Sequence, residues 1–133
     1  MQVSLPDGAG EDSFSLLPLL RGGTSPVRAH AISTSMGGVP ALRVGQWKLI
    51  AGKGGGSFNR DTDRADLKLF DLIADIGEAT DLAARHPERV AEMRALLEKL
   101  ISDGRSTPGA VQKNDVAVRR HASVFPSQTE INP

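Results

Sequence analysis

The clearest pattern along the chain is an apolar stripe between residues 90 and 101. Apolar side chains recur there at steps of three and four, as on one face of an α-helix: Val90, Met93, Leu97, Leu100 and Ile101. Pro87 and Glu88 suit the first turn of a helix, and Gly104 suits its end. The pattern predicts a helix that buries one face against a sheet.

Shorter apolar stretches of strand length come earlier in the chain. We predict strands over residues 30–35, 41–44, 47–51 and 67–72. The second and third are joined by Gly45 and Gln46, which favour a tight hairpin. The predicted fold class is α+β: a small antiparallel sheet of about four strands with a C-terminal helix packed on one face.

A leucine-rich stretch near the N-terminus predicts a further, short helix. Asp12 or Ser13 suits its N-cap, and Pro18 should shorten or bend it. So short a helix cannot bury all its leucines against one small sheet: Leu16, Leu17, Leu19 and Leu20. We therefore expect an exposed apolar surface and self-association of the isolated chain.

The flanking segments lack such patterns, and we divide the chain accordingly. Residues 1–11 are polar and Gly-rich, which predicts a flexible N-terminal arm. Residues 12–105 form the predicted domain, and residues 106–133 show no periodicity, which predicts an extended tail.

Composition narrows the classes of partner. Lys plus Arg and Asp plus Glu both number 16, so there is no basic excess for nucleic acid or an anionic membrane. No apolar run approaches the ~18 residues that span a bilayer, and no leader pattern is visible. Cysteine is absent, which excludes disulfides and thiolate metal sites. We expect neither nucleic acid nor membrane as a partner, and the localisation stays unknown.

Short motifs follow one another between residues 45 and 83. They read Gly-Gln-Trp-Lys-Leu-Ile from residue 45, Leu-Phe-Asp-Leu from 69, Asp-Ile-Gly-Glu from 75 and Asp-Leu-Ala from 81. In this order, and over about residues 5 to 109, the chain resembles the C-terminal segment of the sulfatase family, the arylsulfatase-type sulfuric ester hydrolases. Ile76 stands where the family favours Pro, and Asp81 where it favours Asn.

The resemblance implies a small antiparallel sheet and helix that dock on a larger catalytic domain. The family keeps its calcium and its formylglycine nucleophile, made within Cys/Ser-x-Pro-x-Arg, in that other domain. We therefore expect a C-terminal domain or fragment of an arylsulfatase, inactive alone and without a cofactor of its own. Its partner would be a sulfatase catalytic domain, in cis or in trans. The alternative is a free-standing binding module derived from such a domain.

The resemblance also supplies substrate-side candidates. In many arylsulfatases the strand matching Ser33, Thr34 and Ser35 reads His-His-Ser near the substrate entrance. Ordinary exposed strand hydroxyls are the competing interpretation. Lys48 is the fourth candidate, because strand alternation places it opposite Trp47, which we predict to be a core anchor.

Other motifs have simpler explanations. Residues 24–28 read Thr-x-Pro-x-Arg, one letter from the nucleophile motif, but oxidised Thr gives a ketone rather than the aldehyde. Residues 52–57 contain Gly-Lys without the helix of a phosphate-binding loop. An acidic turn lacks the Gly and Glu of a calcium loop: Asp61, Asp63 and Asp66. The histidines have no metal-ligand spacing: His30, His86 and His121.

Overall fold

The predicted α+β architecture is confirmed. The computed structural model describes residues 6, 8–35, 38–52 and 67–115. Its elements are, in order, α1 (Leu17–Leu20), β1 (His30–Thr34), β2 (Pro40–Val44), β3 (Trp47–Ala51), β4 (Leu67–Asp71), a 3-10 turn (Ala83–Arg85) and α2 (Pro87–Asp103). The four strands form one antiparallel sheet in the order β1-β2-β3-β4. None of the helices in these ranges is long and apolar enough to cross a membrane.

The core lies between α2 and one face of the sheet. Leu42 is paired with Leu49, which is paired with Leu69, so these side chains form a row across three strands. All three are fully buried, and they pack with the α2 stripe of Met93, Leu97, Leu100 and Ile101. We call this the helix face of the sheet. Alternate strand residues, among them Lys48 and Phe70, lie on the opposite face.

Helix α2 begins and ends where the sequence predicts. Pro87 lies in its first turn, and Gly104 closes it in the left-handed conformation, with φ 64°. A Cβ at Gly104 would lie 2.2 Å from the carbonyl oxygen of Gln112. Glycine is required here both for the backbone angle and for the close approach of the following segment.

That segment is tied to the helix as far as the structure describes it. The N–H of Gln112 donates to the carbonyl of Asp103 (2.8 Å), and Asn114 Nδ2 donates to the carbonyl of Ile101 (2.7 Å). Arg105 is buried and donates through Nη1 to the carbonyl of Ala110 (2.9 Å). The division of the chain at 11 and 105 stays a prediction, although residues up to 115 are attached to the domain.

The leucine-rich helix is shorter than predicted. It contains only Leu17–Leu20, and neither Asp12 nor Ser13 caps it. The carboxylate of Asp12 instead accepts a hydrogen bond from the N–H of Ser106, at 2.9 Å. The start predicted at residue 12 or 13 is therefore wrong, because a distant backbone group takes the capping carboxylate.

Candidate functional site

The motif that begins at residue 69 builds a turn around one carboxylate. Asp71 accepts hydrogen bonds from the N–H groups of Ile73 (3.0 Å) and Ala74 (3.3 Å), and from Gln46 Nε2 (2.8 Å). Desolvation raises the pKa of Asp71. The hydrogen bonds from Ile73, Gln46 and Ala74, with the charge of His86, lower it more, so the pKa lies below its ordinary value. Asp71 is therefore an ionised acceptor that joins the β2–β3 hairpin to the end of β4.

Two further aspartates of the motifs also serve the backbone. Asp75 accepts the N–H of Thr80 at 2.8 Å. Oδ1 of Asp81 accepts the N–H of Leu69 (3.1 Å) and of Ala83 (2.9 Å), which ties β4 to the 3-10 turn. An Asn at position 81 presents the same oxygen, so the departure from the family pattern leaves this geometry intact.

Lys48 lies opposite Trp47, as strand alternation predicts, and it meets an acid. Its Nζ lies 2.5 Å from Oε1 of Glu78 in a partly buried ion pair. Glu78 itself has φ 55°, a left-handed conformation that is uncommon outside glycine. The ion pair fixes this turn against the opposite face of the sheet, and it was not predicted from the sequence.

The three hydroxyl candidates are exposed but do not share one surface. Ser33 lies on the same face as Lys48, with one strand between them and an offset of two residues along the strand, so about 12 Å separates their Cα atoms. Thr34 lies on the helix face, paired with Pro40. Oγ of Ser35 accepts the N–H of Val39 (3.1 Å) in the β1–β2 turn. The four candidates do not converge on one point, and their substrate-side role stays a prediction.

A second group of polar side chains surrounds Trp47. The ring of Trp47 packs against the core, as predicted for an anchor. The ring of His86 lies 5.2 Å from it, and the guanidinium of Arg89 lies 5.5 Å from its centroid. This stack was not predicted from the sequence, although His86 and Arg89 are one helical turn apart and the turn faces β3.

Beside this stack is a shallow cavity of about 390 Å³. Its lining comes from the start of α2 and the turn before it: Arg85, His86, Pro87, Glu88, Arg89 and Glu92. Nη1 of Arg89 lies 3.6 Å from Oε2 of Glu92, so this ion pair neutralises part of the charge of the cavity lining. The lining contains basic and acidic groups but no hydroxyl or thiol nucleophile.

Within residues 6, 8–35, 38–52 and 67–115, no cluster of three or more His, Cys, Asp or Glu could hold a metal. The Thr-x-Pro-x-Arg stretch lies on the surface before β1, mostly exposed. The remaining predicted features lie outside the described residues: 53–57, Asp61, Asp63, Asp66 and His121.

Comparison with known proteins identifies the scaffold. No family model matches the chain. It is 32% identical over 106 residues to an N-acetylgalactosamine-6-O-sulfatase of Bacteroides thetaiotaomicron, a match over 75% of this chain and 20% of the relative. A solved Bacteroides thetaiotaomicron sulfatase, described in the context of the metabolism of multiple glycosaminoglycans, superposes with a TM-score of 0.61 at 30% identity.

That superposition covers 73% of this chain and 21% of the solved one. The chain thus spans about a fifth of the length of the relatives that it matches. The motifs from residues 45 to 83 hold the hairpin, β4 and the following turn together, and they carry the resemblance. The chain belongs to the sulfatase family, as the counterpart of its C-terminal segment.

Proposed function

We propose that the chain serves as the C-terminal module of a sulfuric ester hydrolase whose catalytic groups lie in another part of the enzyme. This proposal rests on one combined observation: the chain matches only part of a sulfatase, and its motif residues make structural contacts. Asp71, Asp75 and Asp81 accept backbone hydrogen bonds, and Glu78 pairs with Lys48, so these side chains serve the scaffold. The free-standing binding module is not favoured by a match to one fifth of a sulfatase.

The calcium ion and formylglycine of the family belong, in this proposal, to the catalytic partner. The donor set of the described residues does not fit a metal ion, since it brings no three suitable ligands together. No catalytic step is therefore assigned to this chain. The relative's name supports a sugar sulfate ester, such as a 6-O-sulfated amino sugar, as the substrate class of the complete enzyme.

Within that enzyme, we propose that the opposite face of the sheet borders the substrate entrance. Support comes from Ser33 and Lys48, two predicted substrate-side residues that share this face. Because Lys48 is held by Glu78, its ammonium has a fixed position on the surface rather than a free one.

A segment exchange tests the module role. The corresponding C-terminal fifth of the Bacteroides thetaiotaomicron N-acetylgalactosamine-6-O-sulfatase is replaced by this chain, and desulfation of its sugar substrate is measured. We expect activity in the chimaera and loss of activity when the segment is deleted. An inactive chimaera that unfolds in one cooperative transition would contradict the proposed function.

A matched pair of variants tests the substrate-side face in the same chimaera. Lys48→Met and Glu78→Gln both break the same ion pair, so a purely structural effect should be similar for the two. If the Lys48 ammonium binds the substrate, only Lys48→Met raises KM. We expect a rise of about tenfold, which corresponds to ~1.4 kcal/mol of lost binding free energy. Equal KM values for the two variants would restrict Lys48 to a structural role.

A further inference from the structure

The described ranges expose four neighbouring leucines, which form an apolar surface at α1 and its N-cap Leu16. Its leucines are accessible to solvent by 57%, 47%, 40% and 81%: Leu16, Leu17, Leu19 and Leu20. No residue of α1 is buried. Residues 13–20 also contain no charged side chain, so the surface offers apolar contact and little electrostatic attraction.

These leucines lie in a loop whose two ends are bound to the same residue, Ser106. The N–H of Ser106 donates to Asp12 at the start of the loop, at 2.9 Å. The carbonyl of the same Ser106 lies 3.2 Å from Nε2 of His30, at the end of the loop. Ser106 thus holds both ends, so residues 13–29 form a closed loop.

Within the loop, glycines fix how α1 ends. Gly22 has φ 87°, and the N–H of Gly23 donates to the carbonyl of Pro18 at 2.9 Å. A Cβ at Gly23 would lie 2.7 Å from that carbonyl oxygen, so a larger residue would prevent the closure. Specific hydrogen bonds hold the loop in a conformation that exposes its leucines to solvent. This indicates an interface rather than a frayed segment.

We propose that the loop 13–29 docks the module on the catalytic part of a sulfatase, with the α1 leucines as the buried contact. This inference rests on the proposed function and names the surface through which it operates. The comparison indicates what binds this surface. The match covers 20% of the relative, so about four fifths of that enzyme lie outside the matched segment, and the proposed partner corresponds to that part, in the same chain or a separate one. A partner of this kind must offer an apolar depression to aliphatic side chains.

The chain offers a matched control for the test. Ile73 and Ile76 are 79% and 81% exposed and lie on the turn after β4, away from α1 in the sequence. Leu16→Ser with Leu20→Ser removes two large apolar side chains from the loop. Ile73→Ser with Ile76→Ser removes two from the other surface.

The first measurement uses the full chain and a hydrophobic fluorescent dye. We expect dye binding that falls at least twofold in the leucine double variant and stays unchanged in the isoleucine double variant. Circular dichroism of both variants checks that the fold is kept. Dye binding that the leucine change does not alter would overturn the proposal.

The second measurement uses the chimaera and amide hydrogen exchange over residues 16–23. We expect exchange at least tenfold slower than in the isolated chain, and loss of this protection in the leucine double variant alone. Unchanged exchange, or separate unfolding of the chain and the catalytic part, would overturn the docking. Concentration-dependent, leucine-dependent scattering of the isolated chain without protection in the chimaera would assign the loop to a second copy instead.

The two proposals fail in different ways. An active chimaera with an unprotected loop contradicts the docking surface but keeps the module role. An inactive chimaera with a protected loop contradicts the module role but keeps the docking surface.

Discussion

Asp71 shows how a motif carboxylate can be structural rather than catalytic. Its oxygens accept hydrogen bonds from two backbone N–H groups and from the side chain of Gln46, which lies 25 residues earlier in the chain. A carboxylate that accepts several hydrogen bonds is stabilised in its ionised form. The side chain is therefore well suited to fasten a turn and poorly suited to give or take a proton near neutral pH.

The pH dependence of stability tests this role. Because the folded pKa of Asp71 lies below the ordinary 3.8, the ionised carboxylate stabilises the fold above that pH, and this contribution is lost as the pH falls through the folded pKa. Asp71→Asn should therefore lower the free energy of unfolding at pH 7, and the gap to the wild-type chain should close below about pH 3.8. Urea unfolding at a series of pH values measures the gap. A gap that does not depend on pH would show that the charge is irrelevant.

Elements defined by local patterns were predicted well. The stripe of α2, its glycine stop and the β2–β3 hairpin depend on residues close in sequence, and their limits agree with the structure within a residue or two. The start of α1 was wrong because Asp12 bonds Ser106, 94 positions away. The Lys48–Glu78 pair and the stack on Trp47 were missed for the same reason, since each joins residues that only the folded chain brings together.

The contact between α2 and the sheet should dominate the stability of the domain. Leu97 is fully buried among Leu42, Leu49 and Leu69, whereas Leu20 on α1 is 81% exposed. Leu97→Ala should lower the free energy of unfolding by ~2–5 kcal/mol, because it removes buried methyl groups and leaves a cavity. Leu20→Ala is the matched control and should change it by less than ~0.5 kcal/mol. Chemical denaturation compares the two variants, and equal midpoints would mean that the stripe does not pack as the structure shows.

At the scale of the molecule, the described domain is a scaffold with two kinds of outer surface. One kind is polar, with Lys48 and Glu78 on the opposite face of the sheet and Asp71 at the end of β4 on the side of Trp47. The other is the leucine loop, with no charge between residues 13 and 20. The core beneath them is supplied almost entirely by aliphatic side chains of the sheet and α2. Under the proposed function, such a domain contributes shape and contact area to a larger enzyme.

The chain alone should therefore not hydrolyse an aryl sulfate such as nitrocatechol sulfate, with or without added calcium. The sequence contains no cysteine and no Ser-x-Pro-x-Arg, so the formylglycine nucleophile has no precursor. The described residues provide no three-ligand metal cluster to polarise the ester. Release of nitrocatechol, followed by absorbance at alkaline pH, should equal the buffer background.

Thr24→Ala is the control, because Thr24 opens the one stretch that approaches the nucleophile motif. Turnover that survives repeated purification and disappears in Thr24→Ala would return that stretch to consideration and contradict the assignment of catalysis to a partner.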